Sequence, residues 1–340
     1  MASTMRLPEP RGPLTHALCT DLSAGTLSPA TTGLAERTAA AAADPLLDED
    51  LQLALAICYE LHYRGFDGVD EAWEWDPELL RLRAHLERAH TTALRELVGA
   101  LEVTDEPVDQ QLTALIAADD GPSLSRYMAR SGSLEQWREY LTLRSVYHLK
   151  EADPHTFAVP RLSGRTKAAM VEIQADEYGG GSAARMHSEL FAGMMRDLGL
   201  DAGYGALWDD APAVAFASVN TMSLFGLHRR WRGAALGHLA CVEMTSSEPS
   251  RRYSAGLRRL GFDGATTVFY DEHVEADAVH EQIASVDMCG SLVAGEPALT
   301  ADVLFGAACS LAMDGLAAQH LLGEWEAGRS ALRGRPALAA

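Results

Sequence analysis

The sequence has very few lysines and no long apolar run, and each absence excludes a class of protein. Of its 28 basic residues only Lys150 and Lys167 are lysines, and the formal net charge is -20. Nucleic acid and anionic membranes both select basic surfaces, so we expect neither partner. No apolar run approaches the ~18 residues of a membrane span. Residues 1–43 contain no hydrophobic core of a secretion signal.

Cysteine is also scarce and unpatterned. The five cysteines are scattered, and the sequence contains no Cys-x-x-Cys pair. An odd, unpaired set argues against a disulfide framework and against a cysteine-based zinc site, which favours a reducing cytoplasm. The 340 residues are 47% hydrophobic, which is enough apolar surface for a real core and excludes a disordered chain.

Strand signals are weak, whereas helical spacing of apolar residues recurs along the chain. The Asp76-Pro77 pair is typical of a helix start. We therefore predict an all-α bundle. We expect a mostly flexible tail over residues 1–44 and a second tail over 331–340. Between them we expect a single domain (45–330), with auxiliary helices at 45–150 and a metal-binding core at 151–330.

Three residues near the C-terminus carry the first chemical signal. His273, Asp277 and His280 are spaced i, i+4 and i+7, so on a helix they share one face. Two imidazoles and one carboxylate suit iron, manganese or zinc. The alternative is a solvated polar stripe, because acidic residues such as Glu272 and Glu281 surround them.

One helix cannot complete a metal site, and Glu243 is a candidate ligand from another. Its neighbours one helical turn away, Leu239 and Ala240 among them, are apolar, so we expect its side chain to be buried. An unpaired buried carboxylate is costly, which favours a cation partner. A salt bridge to one of the many arginines is the alternative.

Glu177 and His187 lie on either side of Gly179–Gly181, the strongest local breaker in the sequence. An unbroken helix would hold them about 15 Å apart along its axis. We predict that the glycines break the helix and bring the two side chains together. The alternative is that Glu177 merely ends a helix. Glu172 and Asp176 are competing carboxylates that we expect to be solvated.

These segments together resemble the haem-oxygenase-like diiron oxidases and oxygenases, also described as iron-containing redox enzymes. The resemblance rests on Asp176-Glu177-Tyr178-Gly179 with His187 ten residues after Glu177, and on the His-x3-Asp-x2-His pattern. It runs from about Glu151 to His280 and implies a haem-oxygenase-like helical bundle with two Fe(II) ions per chain and O2 as co-substrate. The ligands that the resemblance implies are Glu177, His187, Glu243, His273, Asp277 and His280, with Glu151 as a further upstream carboxylate.

The resemblance implies O2-dependent oxidation of a small molecule. N-oxygenation of an amine is the outcome we favour, and oxidative C–C cleavage or decarboxylation and desaturation are alternatives. A non-catalytic, ferritin-like iron-binding protein is the rival class, and a mononuclear iron site is a second rival. An electron donor and a homodimer are both compatible with the sequence.

Other histidines carry no comparable pattern. Glu87-Arg88-Ala89-His90 is a Glu-x-x-His motif of the ferritin type, but the arginines around it predict a solvated face. Glu60 and His62 are two residues apart and are expected to be structural. No partner pattern is found for His148, His155, His228, His238 and His320.

Overall fold

The computed structural model describes residues 5–334, except for the side chains of residues 275–279. Within this part of the chain the secondary structure is helical, and the only β-type pairing is an isolated bridge between Met5 and Phe66. The predicted all-α fold is therefore confirmed. The helices are α1 (Pro13–Ala24), α2 (Pro29–Ala41), α3 (Glu49–Glu60), α4 (Pro77–Val98), α5 (Val108–Ala117), α6 (Leu124–Arg130), α7 (Leu134–His148), α8 (Asp153–Thr156), α9 (Gly164–Glu177), α10 (His187–Asp197), α11 (Ala213–Leu227), α12 (Arg232–Thr245), α13 (Ser247–Arg259), α14 (Gly264–Gln282), α15 (Ser291–Gly295) and α16 (Thr300–Glu326).

Side-chain capping fixes the start of α4. The carboxylate of Asp76 accepts hydrogen bonds from the backbone N–H groups of Glu78 and Leu79, both at 2.9 Å, and Pro77 occupies the first turn of α4. A side-chain acceptor at this position satisfies N–H groups that have no partner within the helix. The predicted helix start at Asp76-Pro77 is confirmed.

Short 3-10 helices and one π-helix connect several of the α-helices. Directly after α14 the chain continues as a π-helix over Ile283–Gly290, a geometry that is rare and often found at functional sites. The 3-10 turns are Glu71–Trp75, Val159–Arg161, Gly179–Gly181, Ala183–Arg185, Arg229–Trp231 and Pro297–Leu299.

The centre of the bundle is a close contact between α12 and α16. A Cβ atom on Gly237 would overlap the carbonyl oxygen of Val303, and one on Gly306 would overlap that of Ala234. The two helix backbones therefore touch, which is possible only because glycine has no side chain. This contact fixes α12, the helix that carries Glu243.

The structure differs from the predicted N-terminal tail over residues 13–41, which form α1 and α2. Leu14, Leu18 and Leu22 lie four residues apart and are fully buried. The Asp50 carboxylate of α3 accepts hydrogen bonds at 2.8 Å from the backbone N–H groups of Leu14 and Thr15. An apolar stripe and a capped helix start therefore anchor α1, although the surrounding Ala/Ser/Thr/Pro composition is typical of a loose segment.

The C-terminal tail predicted for residues 331–340 also differs over its described part. Ala331 and Leu332 are buried, and the backbone N–H of Ala331 donates to Glu139 Oε2 at 3.0 Å. A buried hydrogen bond and two apolar side chains hold this stretch against α7. Residues 335–340 lie outside the described part of the chain.

One helical stretch, Pro297–Glu326, is long and apolar enough to cross a membrane by length and composition. No apolar run of this length is expected from the sequence, and here the structure differs from the expectation. Within the most apolar window of this stretch, 61% is buried inside the protein. Its apolar character is thus in large part matched by packing against other helices, α12 above all.

Candidate metal centre

The glycine triplet breaks the chain between α9 and α10, as predicted. Gly179, Gly180 and Gly181 have φ angles of +66°, +61° and +85°, a left-handed region that favours glycine. Glu177 ends α9 and His187 begins α10. The turn brings His187 Nδ1 to 2.9 Å from Glu177 Oε2, far closer than a continuous helix would allow.

Four buried side chains form a first cluster. Glu151, Glu177, His187 and His273 each offer one ligand atom, and these atoms all lie within 4.8 Å of one another. They come from the turn after α7, the end of α9, the start of α10 and the middle of α14. His273 Nε2 lies 3.8 Å from Glu151 Oε1. The fold thus brings together Glu151 and three residues of the resemblance-based ligand set.

A second cluster consists of Glu177, Glu243 and His280, whose ligand atoms also lie within 4.8 Å of one another. His280 Nδ1 is 3.2 Å from Glu243 Oε2, and both side chains are buried. Glu177 belongs to both clusters, so its carboxylate lies between two neighbouring groups of ligand atoms.

Asp176 and Asp277 are two further carboxylate residues to consider at the site. Asp176, which we expected to be solvated, has a side chain that is 60% exposed, yet its Oδ2 lies 3.0 Å from His280 Nε2. The predicted ligand Asp277 has a side chain that lies outside the described residues. The role of all seven predicted residues as ligands stays a prediction.

Buried polar atoms without hydrogen bonds mark the first cluster as a place for a cation. Glu151 Oε2 and His187 Nδ1 are buried and have no hydrogen-bond partner. His187 Nδ1 is near Glu177, but the two groups are not aligned as a hydrogen bond. Each unsatisfied buried group costs about 1–3 kcal/mol, and a metal ion bound by both would remove that cost. The carboxylate and imidazole donors fit iron.

The charges of the site depend on the same contacts. Burial alone would raise the pKa of Glu151, but His148 and His273 outweigh it and hold the pKa well below the usual range. Burial would lower the pKa of His280, but Glu243 and Asp176 raise it to about 9. Burial would also lower the pKa of His187, but the neighbouring Glu177 outweighs it and raises that pKa. The Glu151 carboxylate is therefore charged, and the His187 and His280 imidazoles each face a carboxylate.

Backbone strain lies directly beside a predicted ligand. Ala152 follows Glu151 and has a φ of +74°, the only positive φ of a non-glycine residue in the described chain. Residues in this region cost about 1–3 kcal/mol and tend to cluster at functional sites. The strained residue thus lies in the turn after α7 that also carries Glu151.

Sequence reasoning missed His148. Its Nδ1 lies 2.9 Å from Glu151 Oε1, and its Nε2 accepts from Arg144 Nε at 3.1 Å. An arginine only donates, so His148 Nε2 carries no proton and Nδ1 donates to Glu151. The imidazole therefore orients the carboxylate from outside the cluster. The His-x-x-Glu spacing of residues 148 and 151 was the available signal.

The Glu-x-x-His motif at Glu87 and His90 was also read wrongly, because both side chains are buried rather than solvated. Glu87 pairs with Arg83 and His228, and His90 contacts Thr221. Arg83 folds inward as a partner of Glu87, whereas Arg88 and Arg95 are exposed.

His155, His238 and His320 have structural partners. His155 Nε2 lies 3.2 Å from His238 Nδ1 in a buried pair, and His320 Nε2 lies 2.8 Å from the carbonyl oxygen of Ala331. Glu60 accepts from Lys150 at 2.9 Å. These contacts agree with the structural role expected for Glu60.

A cavity of about 290 Å³ adjoins the first cluster. Its wall includes Glu151 and His273, together with residues of α7, α12, α13, α14 and α16. Ligand pockets range from about 300 to 1,000 Å³, so this space suits a small molecule beside the predicted metal ligands.

The fold and the site define an all-α, haem-oxygenase-like bundle with buried histidine–carboxylate clusters able to bind metal. Residues 138–315, more than half of the chain, match the family described as iron-containing redox enzyme. The chain belongs to this family, which indicates an iron-dependent oxidoreductase. A search of curated proteins gives no match.

Proposed function

We propose that this protein is a non-haem diiron enzyme that uses O2 to oxidise or oxygenate a small molecule. The observation that carries the proposal is the position of Glu177, which belongs to both ligand clusters. A carboxylate shared by two adjacent groups is the arrangement that a pair of metal ions needs, because one ion would leave one group unused.

Each residue has a defined task in this proposal. Glu151, His187 and His273 would hold one ion, Glu243 and His280 the second, and Glu177 would contact both. When bound, two ferrous ions supply the electrons that activate O2 for oxidation of a bound substrate. His148 would keep Glu151 charged and oriented.

The proposed substrate is a small molecule that fits the cavity beside Glu151 and His273. We favour N-oxygenation of an amino group, and oxidative C–C cleavage or decarboxylation by the same site is the alternative outcome. We also propose a cytoplasmic location, which the five free cysteines support.

The test has two stages. Anaerobic titration with Fe(II) should give two ions per chain, and one ion per chain would refute the diiron site in favour of a mononuclear one. The Fe(II)-loaded protein should then consume O2 in step with turnover of a compound from a panel of amines and carboxylic acids. Iron oxidation without turnover of any compound would support the ferritin-like alternative.

A matched pair of variants controls this test. Glu177→Gln removes the shared carboxylate and should reduce binding of both ions. Glu172→Gln makes the same chemical change on an exposed side chain of the same helix and should leave both the iron stoichiometry and O2 consumption unchanged. Equal behaviour of the two variants would contradict the role assigned to Glu177.

A further inference from the structure

The cavity beside the first cluster contains one strong cation. Among the described residues that line it, Arg144 on α7 is the only arginine or lysine. Its side chain is 25% exposed, whereas its partner Asp314 on α16 is 61% exposed and lies 3.1 Å from Nη1. An exposed carboxylate neutralises such a charge only weakly, because water screens it. The Arg144 guanidinium therefore keeps a positive charge that a ligand can use.

The guanidinium of Arg144 is already oriented. Nε donates to His148 Nε2 at 3.1 Å and Nη1 donates to Asp314 Oδ1 at 3.1 Å, while Nη2 has no partner among the described residues. Two fixed contacts leave one end of the planar group available for a ligand. Planar guanidinium groups favour carboxylates, with which they form two parallel hydrogen bonds.

Neutral aromatic residues surround this cation. The ring of Tyr253 lies 5.1 Å from that of Tyr140 and 5.2 Å from that of Tyr270. Burial raises the pKa of all three phenols, so they remain uncharged hydroxyl groups. Much of the remaining lining is aliphatic, with Leu143 and Leu311 as examples. Three carboxylates, those of Asp119, Glu151 and Asp314, also line the cavity. Arg144 is therefore the group of this wall to which an organic molecule with a single negative charge can bind.

Arg144 is also close to the predicted iron ligands. It is connected to Glu151 through one imidazole, that of His148, with contacts of 3.1 and 2.9 Å. A molecule that binds Arg144 therefore lies in the same cavity as Glu151 and His273, within a small molecule's length of them. This position allows one end to be anchored while another end reaches the metal ligands.

We propose that Arg144 binds the carboxylate of the substrate, so that the cavity selects a small organic carboxylic acid. The proposal rests on the proposed function, because it treats the cavity as the substrate chamber of the iron site. A phosphate ester is disfavoured, since its second charge would need a second cation and none is found among the described lining residues. Arg144 then determines specificity, and the reacting group is at the opposite end of the molecule.

The test measures binding to the metal-free protein by isothermal titration calorimetry. The probes are two series in which only the head group changes: hexanoate, hexanol and hexylamine, and 3-phenylpropionate, 3-phenylpropanol and 3-phenylpropylamine. We expect the carboxylate to bind at least tenfold more tightly than the alcohol and the amine in at least one series. Arg144→Met should abolish that preference, and Arg144→Lys should retain part of it.

Two further variants separate this role from general effects of charge. Arg138→Met removes an arginine of the same helix that does not line the cavity and should leave the preference unchanged. Asp314→Asn removes the competing carboxylate and should tighten carboxylate binding. The proposal is overturned if neither series prefers the carboxylate, if the preference survives in Arg144→Met, or if the amine binds best and loses affinity in Asp314→Asn.

The outcomes for the two proposals are distinguishable. Calorimetry of the metal-free protein needs neither iron nor O2, so a missing head-group preference refutes the assignment of Arg144 alone. Failure to consume O2 with iron bound, while the preference is intact, refutes the proposed function instead.

Discussion

Replacement of Gly179 by alanine tests how the glycine turn assembles the metal centre. Gly179 has a φ of +66°, and a Cβ atom there would lie 2.6 Å from both the carbonyl carbon of Arg185 and the backbone nitrogen of Met186. Gly180 provides a matched control, because its φ is +61° but a Cβ atom there would meet nothing within 4 Å. The two variants share the same backbone strain and differ in the collision.

The expected magnitudes follow from these two effects. A left-handed alanine costs about 1–2 kcal/mol, which is the whole expected loss for Gly180→Ala. At Gly179 the collision is with backbone atoms that cannot rotate away, and overpacking of this kind adds about 1–3 kcal/mol. Gly179→Ala should therefore lower the free energy of unfolding by about 2–5 kcal/mol.

The collision should also weaken metal binding. Met186 directly precedes His187, so moving its backbone moves the imidazole away from Glu177. Displacing a ligand in this way should reduce the affinity for Fe(II) about 10- to 100-fold, whereas Gly180→Ala should bind like the unaltered protein. Denaturant unfolding of the metal-free protein and anaerobic Fe(II) titration measure the two quantities. If Gly179→Ala binds iron as tightly as Gly180→Ala, the turn does not position His187.

Three further predictions concern other parts of the molecule. Glu243→Gln should weaken binding of the ion at the second cluster and leave binding at the first cluster unchanged. Metal titration would then show a fall from two ions to one per chain. Gly237→Ala should destabilise the protein by about 1–3 kcal/mol in denaturant unfolding, because the new methyl group overlaps α16. The buried His90 has its pKa lowered to about 4 by burial, against about 6.5 when unfolded. Protonation therefore favours the unfolded state, and stability should fall from pH 6.5 to 4 by up to about 3 kcal/mol. His90→Gln should remove this loss in unfolding measured across that pH range.

The ligand clusters were accessible from sequence because metal chemistry imposes local spacing. The seven-residue spacing of His273 and His280 is enough to place them on one helix face. The glycines after Glu177 indicate a helix break without knowledge of the fold. Glu243 required only the inference that its helix face is buried. Each signal depends on residues within about ten positions of one another, where helical geometry is predictable.

The errors arose where burial depends on distant contacts. Leu14, Leu18 and Leu22 become core residues because α3 supplies both an apolar surface and the Asp50 cap. Glu87 is buried because His228, 141 positions away, approaches it. Composition cannot distinguish these segments from a solvated tail or face, because the deciding partner lies in another part of the chain.

Arg144 illustrates the same limit at the site itself. In the sequence it is one of two arginines on α7, and its spacing to His148 is that of an ordinary helical pair. Its role depends on α16, which brings Asp314 into contact with the guanidinium at the wall of the cavity. The glycine contact between α12 and α16 therefore does more than stabilise the core. It fixes the helix that carries Glu243 and the helix that carries Asp314, so the same packing that positions a predicted metal ligand also shapes the cavity wall beside the proposed substrate anchor.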